Sequence, residues 1–585
     1  MKMRLLVLLL FGQSSQFLAG CPVKCNCSLD QRGRISLICN QGGMVGPLNL
    51  DEVNRDTEVL KITAPDDNMN SLTMSPVFRN FKNLEEIHIT KSNIPQLGEH
   101  FFYGLTKLDV LNLSQNNITQ PLDRNFLGLF KLKELYLDDN RIISLPSGTF
   151  RHLHELKVLS VQRNRIQELT PRIFLEISKL KVLKLSGNNL KELHPEVFKD
   201  VQELRSLECR SCGLTRLNNE IYHLLLHLTH LDLGNNEISS IPQEELRELT
   251  HLKYLRLDGN RIAAVEDYTF THQSMLKKLN IARNRIEVIS GDAFENLNNL
   301  TDLDVAYNKL ETLGFLKPIS DNLEVLTLSG NYLKPYHLKD LLDLGVLREL
   351  RLGEAGITDV SHEVFPQTVG ILDLSGNHLS MLSRNLLPLN LIELDISKNR
   401  FRGIDDDLLS FLENIQSLKL DNNPWSCDLC YIVPLLERVN KSAIFREIVC
   451  TSPLTVRGKK LGLIRKSELT WCTSPSYTAS DANFFLIGED GKVGIIAAGT
   501  SVCLLLLTVF AIIGALCYSK RHAAKYYTHE DKLAMEGESI FENNQSPLFC
   551  DGELSFKFPL DANEKKVSIA TIDELKKDHS ITNGT

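Results

Sequence analysis

Cysteine, histidine and paired charges recur in this sequence at spacings that could support chemistry. The cysteines fall in clusters: Cys21, Cys25, Cys27 and Cys39; Cys209 and Cys212; Cys427, Cys430, Cys450 and Cys472; then Cys503, Cys517 and Cys550. A C-x2-C spacing suits zinc ligation, a redox dithiol or a disulfide, and the compartment decides among them. His223, His227, His230 and His251 form a local group that could sense pH; ordinary surface histidines are the competing reading. The sequence contains no G-x-S-x-G, G-x-G-x-x-G, phosphate-binding loop or H-E-x-x-H, and polar residues do not converge on a pocket. No enzyme, cofactor or metal site is therefore expected. With 65 Lys and Arg against 73 Asp and Glu, and a formal charge of −8, the 585-residue chain lacks the basic excess of a nucleic-acid binder. Its 43% hydrophobic content excludes wholesale disorder.

The ends of the chain bear on the compartment. Residues 1–20 place Lys2 and Arg4 before an apolar run at 5–11, and end in Ala19-Gly20. That layout predicts a cleaved secretory signal. Leu18-Ala19-Gly20-Cys21 also has the form of a lipoprotein processing box, which would put lipid on Cys21 and leave an odd set of thiols. Residues 493–519 carry no charge, and 493–517 are rich in Leu, Ile, Val and Ala. As a helix this stretch reaches roughly 37 Å, enough for ~30 Å of hydrocarbon with some tilt. Lys520, Arg521 and Lys525 follow it, while Glu489, Asp490 and Lys492 precede it. The charge bias predicts a single-pass plasma-membrane protein with 21–492 outside and the C-terminus in the cytosol. An oxidising compartment favours disulfides over zinc.

What must position the clusters is a repeat. Leu108-x-x-Leu111-x-Leu113-x-x-Asn116-x-Ile118 returns 24 residues later from Leu132, and again from Leu156, Leu180, Leu204, Leu228, Leu252, Leu276 and Leu300. Copies with altered spacing start at Leu323, Leu347, Val369, Leu391 and Ile415; an earlier one starts at Leu84, with a degenerate copy at Leu60-Lys61-Ile62. A second apolar row, including Phe126, Phe150, Phe174 and Phe198, lies eighteen residues after each first leucine. The L-x-L centre alternates with period two, so it predicts a short strand with its leucines inward. Stacked copies would share one core, and the Asn would satisfy backbone groups of its turn and of the adjacent copy.

This pattern resembles the leucine-rich repeat over roughly 55–425. The resemblance implies an α/β solenoid with a curved parallel sheet on its concave face, closed by cysteine-rich caps. Cys21-Pro22-x-x-Cys25-x-Cys27 with Cys39, and Asn423-Pro424-Trp425-Ser426-Cys427-Asp428-Leu429-Cys430 with Cys450 and Cys472, resemble the caps of extracellular members. It implies the pairs Cys21–Cys27, Cys25–Cys39, Cys427–Cys450 and Cys430–Cys472, although the usual C-terminal cap has one residue between its first two cysteines and this chain has two. The expected organisation is signal peptide 1–20, N-terminal cap 21–54, a solenoid of about 15–16 repeats at 55–424, C-terminal cap 425–472, stalk 473–492, membrane helix 493–517 and a largely disordered tail 518–585. Ser92, Cys212 and Ala355 replace the ladder Asn. Cys209 and Cys212 then face inward, as buried thiols or a local disulfide, and 311–360 is expected to change curvature or form a weak point.

The outward strand positions supply the candidate binding residues. Glu208, Arg210, His230, Asp232, Tyr254, Arg256 and Asp258 form the densest charged and aromatic cluster; a solvated face with internal ion pairs is the competing reading. Tyr136, Ser160, Lys184, Asn280 and Asp304 are assigned to the same outward row. Glycan sequons start at Asn112, Asn117, Asn299 and Asn440. The tail is too short for a kinase domain but could engage cytosolic adaptors through short motifs. These features predict a receptor or adhesion protein that binds a protein ligand, a protein on an apposed cell or a second copy of itself. The alternative is an accessory subunit tuning a channel or receptor in the same membrane.

Overall fold

The computed structural model describes residues 21–73, 78–360, 362–439 and 443–471. The expected signal peptide, stalk, membrane helix and tail, together with Asn440 and Cys472, lie outside the described residues. Among the described residues no helix is long and apolar enough to cross a membrane.

One 18-stranded sheet runs through this unit. It opens with an antiparallel hairpin, Cys25–Leu29 against Ile35–Cys39. Ile35–Cys39 pairs in parallel with Val59–Ile62, which pairs in parallel with Glu86–Ile89. Three-residue parallel strands then follow in chain order to Ser417–Lys419. The middle leucines stay in register: Leu183, Leu207, Leu231 and Leu255 are opposite one another in turn. Register also holds from Leu303 to Leu326, Leu350 and Leu372, where the repeat length changes. The one-residue shortening between Leu303 and Leu326 is taken up away from the sheet, in the segment that holds the 3-10 helix Gly314–Ile319.

The segments between strands carry short helices such as Pro195–Phe198, Asn219–Tyr222 and Asp406–Leu412. Each start has a local cause. Pro195 presets the first turn, the Asn218 side chain accepts from Glu220 N at 3.1 Å, and that of Asp405 accepts from Leu408 N at 2.7 Å. Between helices and sheet lies one continuous core of the repeat leucines and the phenylalanine row. Phe126 and Phe150 are 5.9 Å apart by ring centroid, as are Phe270 and Phe294. Each fully buried side chain of this size contributes about 1.5–3 kcal/mol.

The asparagine ladder is a set of buried hydrogen bonds. Asn140 Nδ2 donates to Leu113 O and Leu137 O, both at 3.0 Å, while its Oδ1 accepts from Ile118 N at 3.0 Å. Asn164, Asn188, Asn236, Asn260 and Asn308 donate in the same manner. The residue before each ladder position is left-handed even where it is not glycine, as at Gln115, Arg163, Ser211 and Tyr307. At Gly330 the requirement is steric too: its φ is +68°, and a Cβ would overlap the Tyr307 ring.

Disulfides join Cys21 to Cys27, Cys25 to Cys39, Cys209 to Cys212 and Cys427 to Cys450. Cys430 is disulfide-bonded as well. The Cys209–Cys212 bond is wholly buried, and Cys212 N donates to Asn236 Oδ1 at 2.9 Å, so cystine occupies the ladder slot without interrupting the backbone pairing. At the first sheet edge, Arg34 pairs with Asp30 of its own hairpin turn and ties the hairpin to the repeats through Glu86, each at 2.8 Å. At the other end Trp425 is buried, donates from Nε1 to Leu420 O at 3.1 Å and stacks on Phe401.

Candidate ligand-binding face

Successive strands bring the sequence-predicted cluster together. The Ser206–Glu208, His230–Asp232 and Tyr254–Arg256 strands are adjacent, with His230 opposite Tyr254 and Asp232 opposite Arg256. The loops that leave these strands add Arg210, Gly234 and Asp258 in line.

The charges are matched to one another. Arg210 Nη1 donates to Asp258 Oδ1 at 2.9 Å, and Arg210 Nη2 also donates to Asp258 Oδ2. This fork spans two repeats, passing over Gly234, where a Cβ would overlap the guanidinium. Asp232 Oδ1 lies 3.6 Å from Arg210, and Asp232 Oδ2 lies 3.9 Å from Arg256. Arg256 Nε reaches Asp258 at 3.4 Å, and Lys184 pairs with Glu208 at 2.9 Å. Burial opposes ionisation of Asp258, but the Arg210 hydrogen bonds and charge outweigh it and hold the carboxyl below the usual range. The Asp258 bond in turn raises the Arg210 guanidinium above its ordinary value.

Two of the expected outward residues do not face solvent. The Asp258 side chain is only 7% exposed and is occupied by Arg210 and Arg256. Ser160 is buried because its hydroxyl donates to Asp138 at 2.5 Å and Gln162 Nε2 donates to it at 3.2 Å. Simple alternation along a strand misses this, because side chains of other repeats, Asp138 and Arg210, combine with Gln162 and Arg256 of the same repeats to form the cover. What remains accessible is a smaller patch. His230 and Tyr254 stack at 4.3 Å between centroids with 16° between planes, beside an Arg256 side chain that is 50% exposed. Burial, then the Lys253 charge, holds the His230 imidazole below its ordinary pKa. His227 and His251 stand apart from this stack, 6.3 Å from each other, and His223 faces Glu248 at 3.7 Å.

Farther along the same face, burial raises the Asp304 carboxyl, helped by the Asp258 and Asp302 charges. Tyr136 is pushed up to about 12 by burial and by its hydrogen bond to Glu134. Of the sequon residues, Asn112 is half-buried on its strand, with Oδ1 accepting from Ser114 N at 2.9 Å. Asn117 is half-buried against Asn93, and exposed Asn299 donates to Ser274 O at 2.8 Å. Among the described residues no group of three or more His, Cys, Asp or Glu is placed to hold a metal.

The leucine rich repeat family model matches residues 82–142, 130–190, 154–214, 202–262 and 250–310. Protein toll of Drosophila melanogaster is 41% identical over 73 residues, which are 12% of this chain and 7% of that protein. The platelet glycoprotein Ib beta chain of Rattus norvegicus is 26% identical over 132 residues, 22% of this chain and 55% of that one. The chain thus spans well under two thirds of the length of these relatives. An LRR protein of Leptospira interrogans superposes with a TM-score of 0.52 at 23% identity, covering 64% of this chain and 99% of its own, which is a likeness of fold.

Proposed function

We propose that this chain of leucine-rich repeats is a single-pass cell-surface receptor or adhesion protein, with residues 21–492 outside and a protein partner bound across the sheet face. The observation that carries the reading is the central patch. The His230–Tyr254 stack and Arg256 stand on a bed of mutually neutralised charges. Tyrosine and arginine are frequent interface anchors, and a network that already fixes their orientation lowers the ordering cost of binding. A broad sheet face suits a macromolecule better than a small molecule, which needs a concave pocket. The disulfides support an oxidising compartment, and the charge-free run 493–519 followed by Lys520 and Arg521 supports the topology.

Exchange of 493–585 for an unrelated anchor and tail tests the role. Adhesion of cells displaying the exchanged protein to cells bearing the partner is expected to persist. Loss of all binding on exchange, with normal surface delivery, would instead indicate an accessory subunit that acts through its membrane segment.

A further inference from the structure

A row of cations crosses the starts of the strands. The residue after the first leucine of seven successive repeats is Lys133, Lys157, Lys181, Arg205, Thr229, Lys253 and Lys277. The backbone stacks them without a break. Lys157 N donates to Lys133 O at 2.8 Å, Lys181 N to Lys157 O at 2.9 Å and Arg205 N to Lys181 O at 2.8 Å; Lys253 N donates to Thr229 O at 2.8 Å and Lys277 N to Lys253 O at 2.9 Å. At a strand spacing of about 4.8 Å, six positive charges fall within roughly 29 Å.

Among the described residues only Lys133 of this row has an acidic partner, Asp109 at 2.7 Å. Several other rows are built differently: at the same repeat spacing they set opposite charges together, as in Lys179–Glu155, Arg163–Asp139, Lys184–Glu208 and Arg261–Glu237. Like charges on neighbouring strands repel, so the row is held at an electrostatic cost that an anionic ligand would relieve. The chain as a whole is acidic, at −8, so composition does not account for the row.

We infer that this lysine row binds a linear sulfated polysaccharide. The side chains are mostly compact point charges rather than bidentate forks, which suits closely spaced anionic groups read without stereochemical detail. Beside Lys157, Lys181 and Arg205 lie Val158, Val182 and Ser206, which offer no aromatic anchor of the kind a peptide partner uses, whereas at Thr229 and Lys253 the row adjoins the His230–Tyr254 stack. The sequons at Asn112 and Asn299 lie beyond the two ends of the row in the sequence, away from its central residues Lys157, Lys181 and Arg205. The inference concerns a different row from the His230–Tyr254 patch, so its failure would leave the protein-binding reading standing.

The test is salt elution of the full-length protein, purified in neutral detergent, from immobilised heparin at pH 7.4. Retention at 0.15 M NaCl is expected, near physiological ionic strength. The Lys157→Glu/Lys181→Glu/Arg205→Glu variant should bind at least about tenfold more weakly. Arg141→Glu/Arg165→Glu/Arg285→Glu makes the same change of net charge on exposed residues beyond the ladder asparagines, and should elute like the wild type. Should the first variant not fold, judged by melting temperature, the corresponding Gln variant replaces it. Flow-through of the wild type, or equal loss in both triple variants, would overturn the inference. Tighter binding to polyglutamate or to a single-stranded oligonucleotide than to heparin would overturn it by assigning the row to another class of polyanion.

Discussion

Replacing Gly234 by alanine should change the sign of its effect according to whether Arg210 is present. Gly234 does not occupy the left-handed region, so its backbone accepts alanine. In the native protein, however, the new Cβ would overlap Arg210 Nη1 and lie 2.8 Å from its Cζ and 3.0 Å from Asp258 Oδ1. The guanidinium must then lift away from Asp258, whose side chain is 7% exposed against 29% for Arg210. Separating a fully buried pair costs roughly 3–5 kcal/mol; discounted for the exposure of the arginine, Gly234→Ala should destabilise by about 1–3 kcal/mol. With Arg210→Ala already in place the overlap is gone, and only the 3.0 Å approach to Asp258 Oδ1, on a side chain freed from its fork, remains. Alanine then only narrows the unfolded ensemble, and the substitution should stabilise by about 0.4–1 kcal/mol. Urea denaturation of the four proteins of this cycle, compared at equal slope, measures the difference. Equal effects of Gly234→Ala in both backgrounds, within about 0.5 kcal/mol, would refute the bridging role of Arg210.

Asn260→Ala removes donations to Leu233 O at 3.0 Å and Leu257 O at 2.9 Å and an acceptor for Ile238 N at 3.0 Å, leaving buried backbone groups unpaired. A loss of about 3–5 kcal/mol is expected by chemical denaturation, and a loss below about 1 would mean that water fills the slot. Burial is the first cause holding His88, His152 and His230 below the ordinary histidine value, so the unfolded chain takes up protons at a higher pH than the folded one. Stability should therefore fall as pH drops from about 7 through 6.5 toward those lowered values. Below about pH 4.5 the held-down carboxyls of Glu86 and Asp258 extend the loss, while Asp304, raised by burial, opposes it. Melting temperatures at pH 7.5, 6 and 5 read this, and a flat or rising series would contradict it. Ala355 has no side-chain group for the ladder, whereas one repeat earlier Leu310 N donates to Asn331 Oδ1 at 3.0 Å. Amide exchange should accordingly be faster in 311–360 than in the repeats before it; uniform protection would remove the weak point.

The sheet was legible in the sequence because a 24-residue period leaves little freedom: once Leu111, Leu135 and Leu159 are aligned, strands, core and ladder follow together. The left-handed position before the ladder was not legible, since Gln115, Arg163 and Tyr307 carry no mark of it and only some repeats use glycine there. Nor was the state of the charges. Period-two alternation says that Ser160 and Asp258 point out of the core, but their cover comes from Asp138 and Arg210 on other repeats and from Arg256 two residues before Asp258. Whether Arg210 faces a partner or its own chain depends on Gly234, a residue whose contribution is the atom it lacks.

The central claim is that a partner protein binds the patch formed by His230, Tyr254 and Arg256. Its direct test is the dissociation constant of the cell-displayed full-length protein for each hit of a screen against secreted and cell-surface proteins, compared with that of His230→Ala/Tyr254→Ala/Arg256→Glu. Hot-spot anchors lose about 2–4 kcal/mol on truncation, so an affinity loss of at least about 30-fold is predicted for the principal partner, with surface level unchanged. Undiminished binding of every hit by this variant would contradict the account.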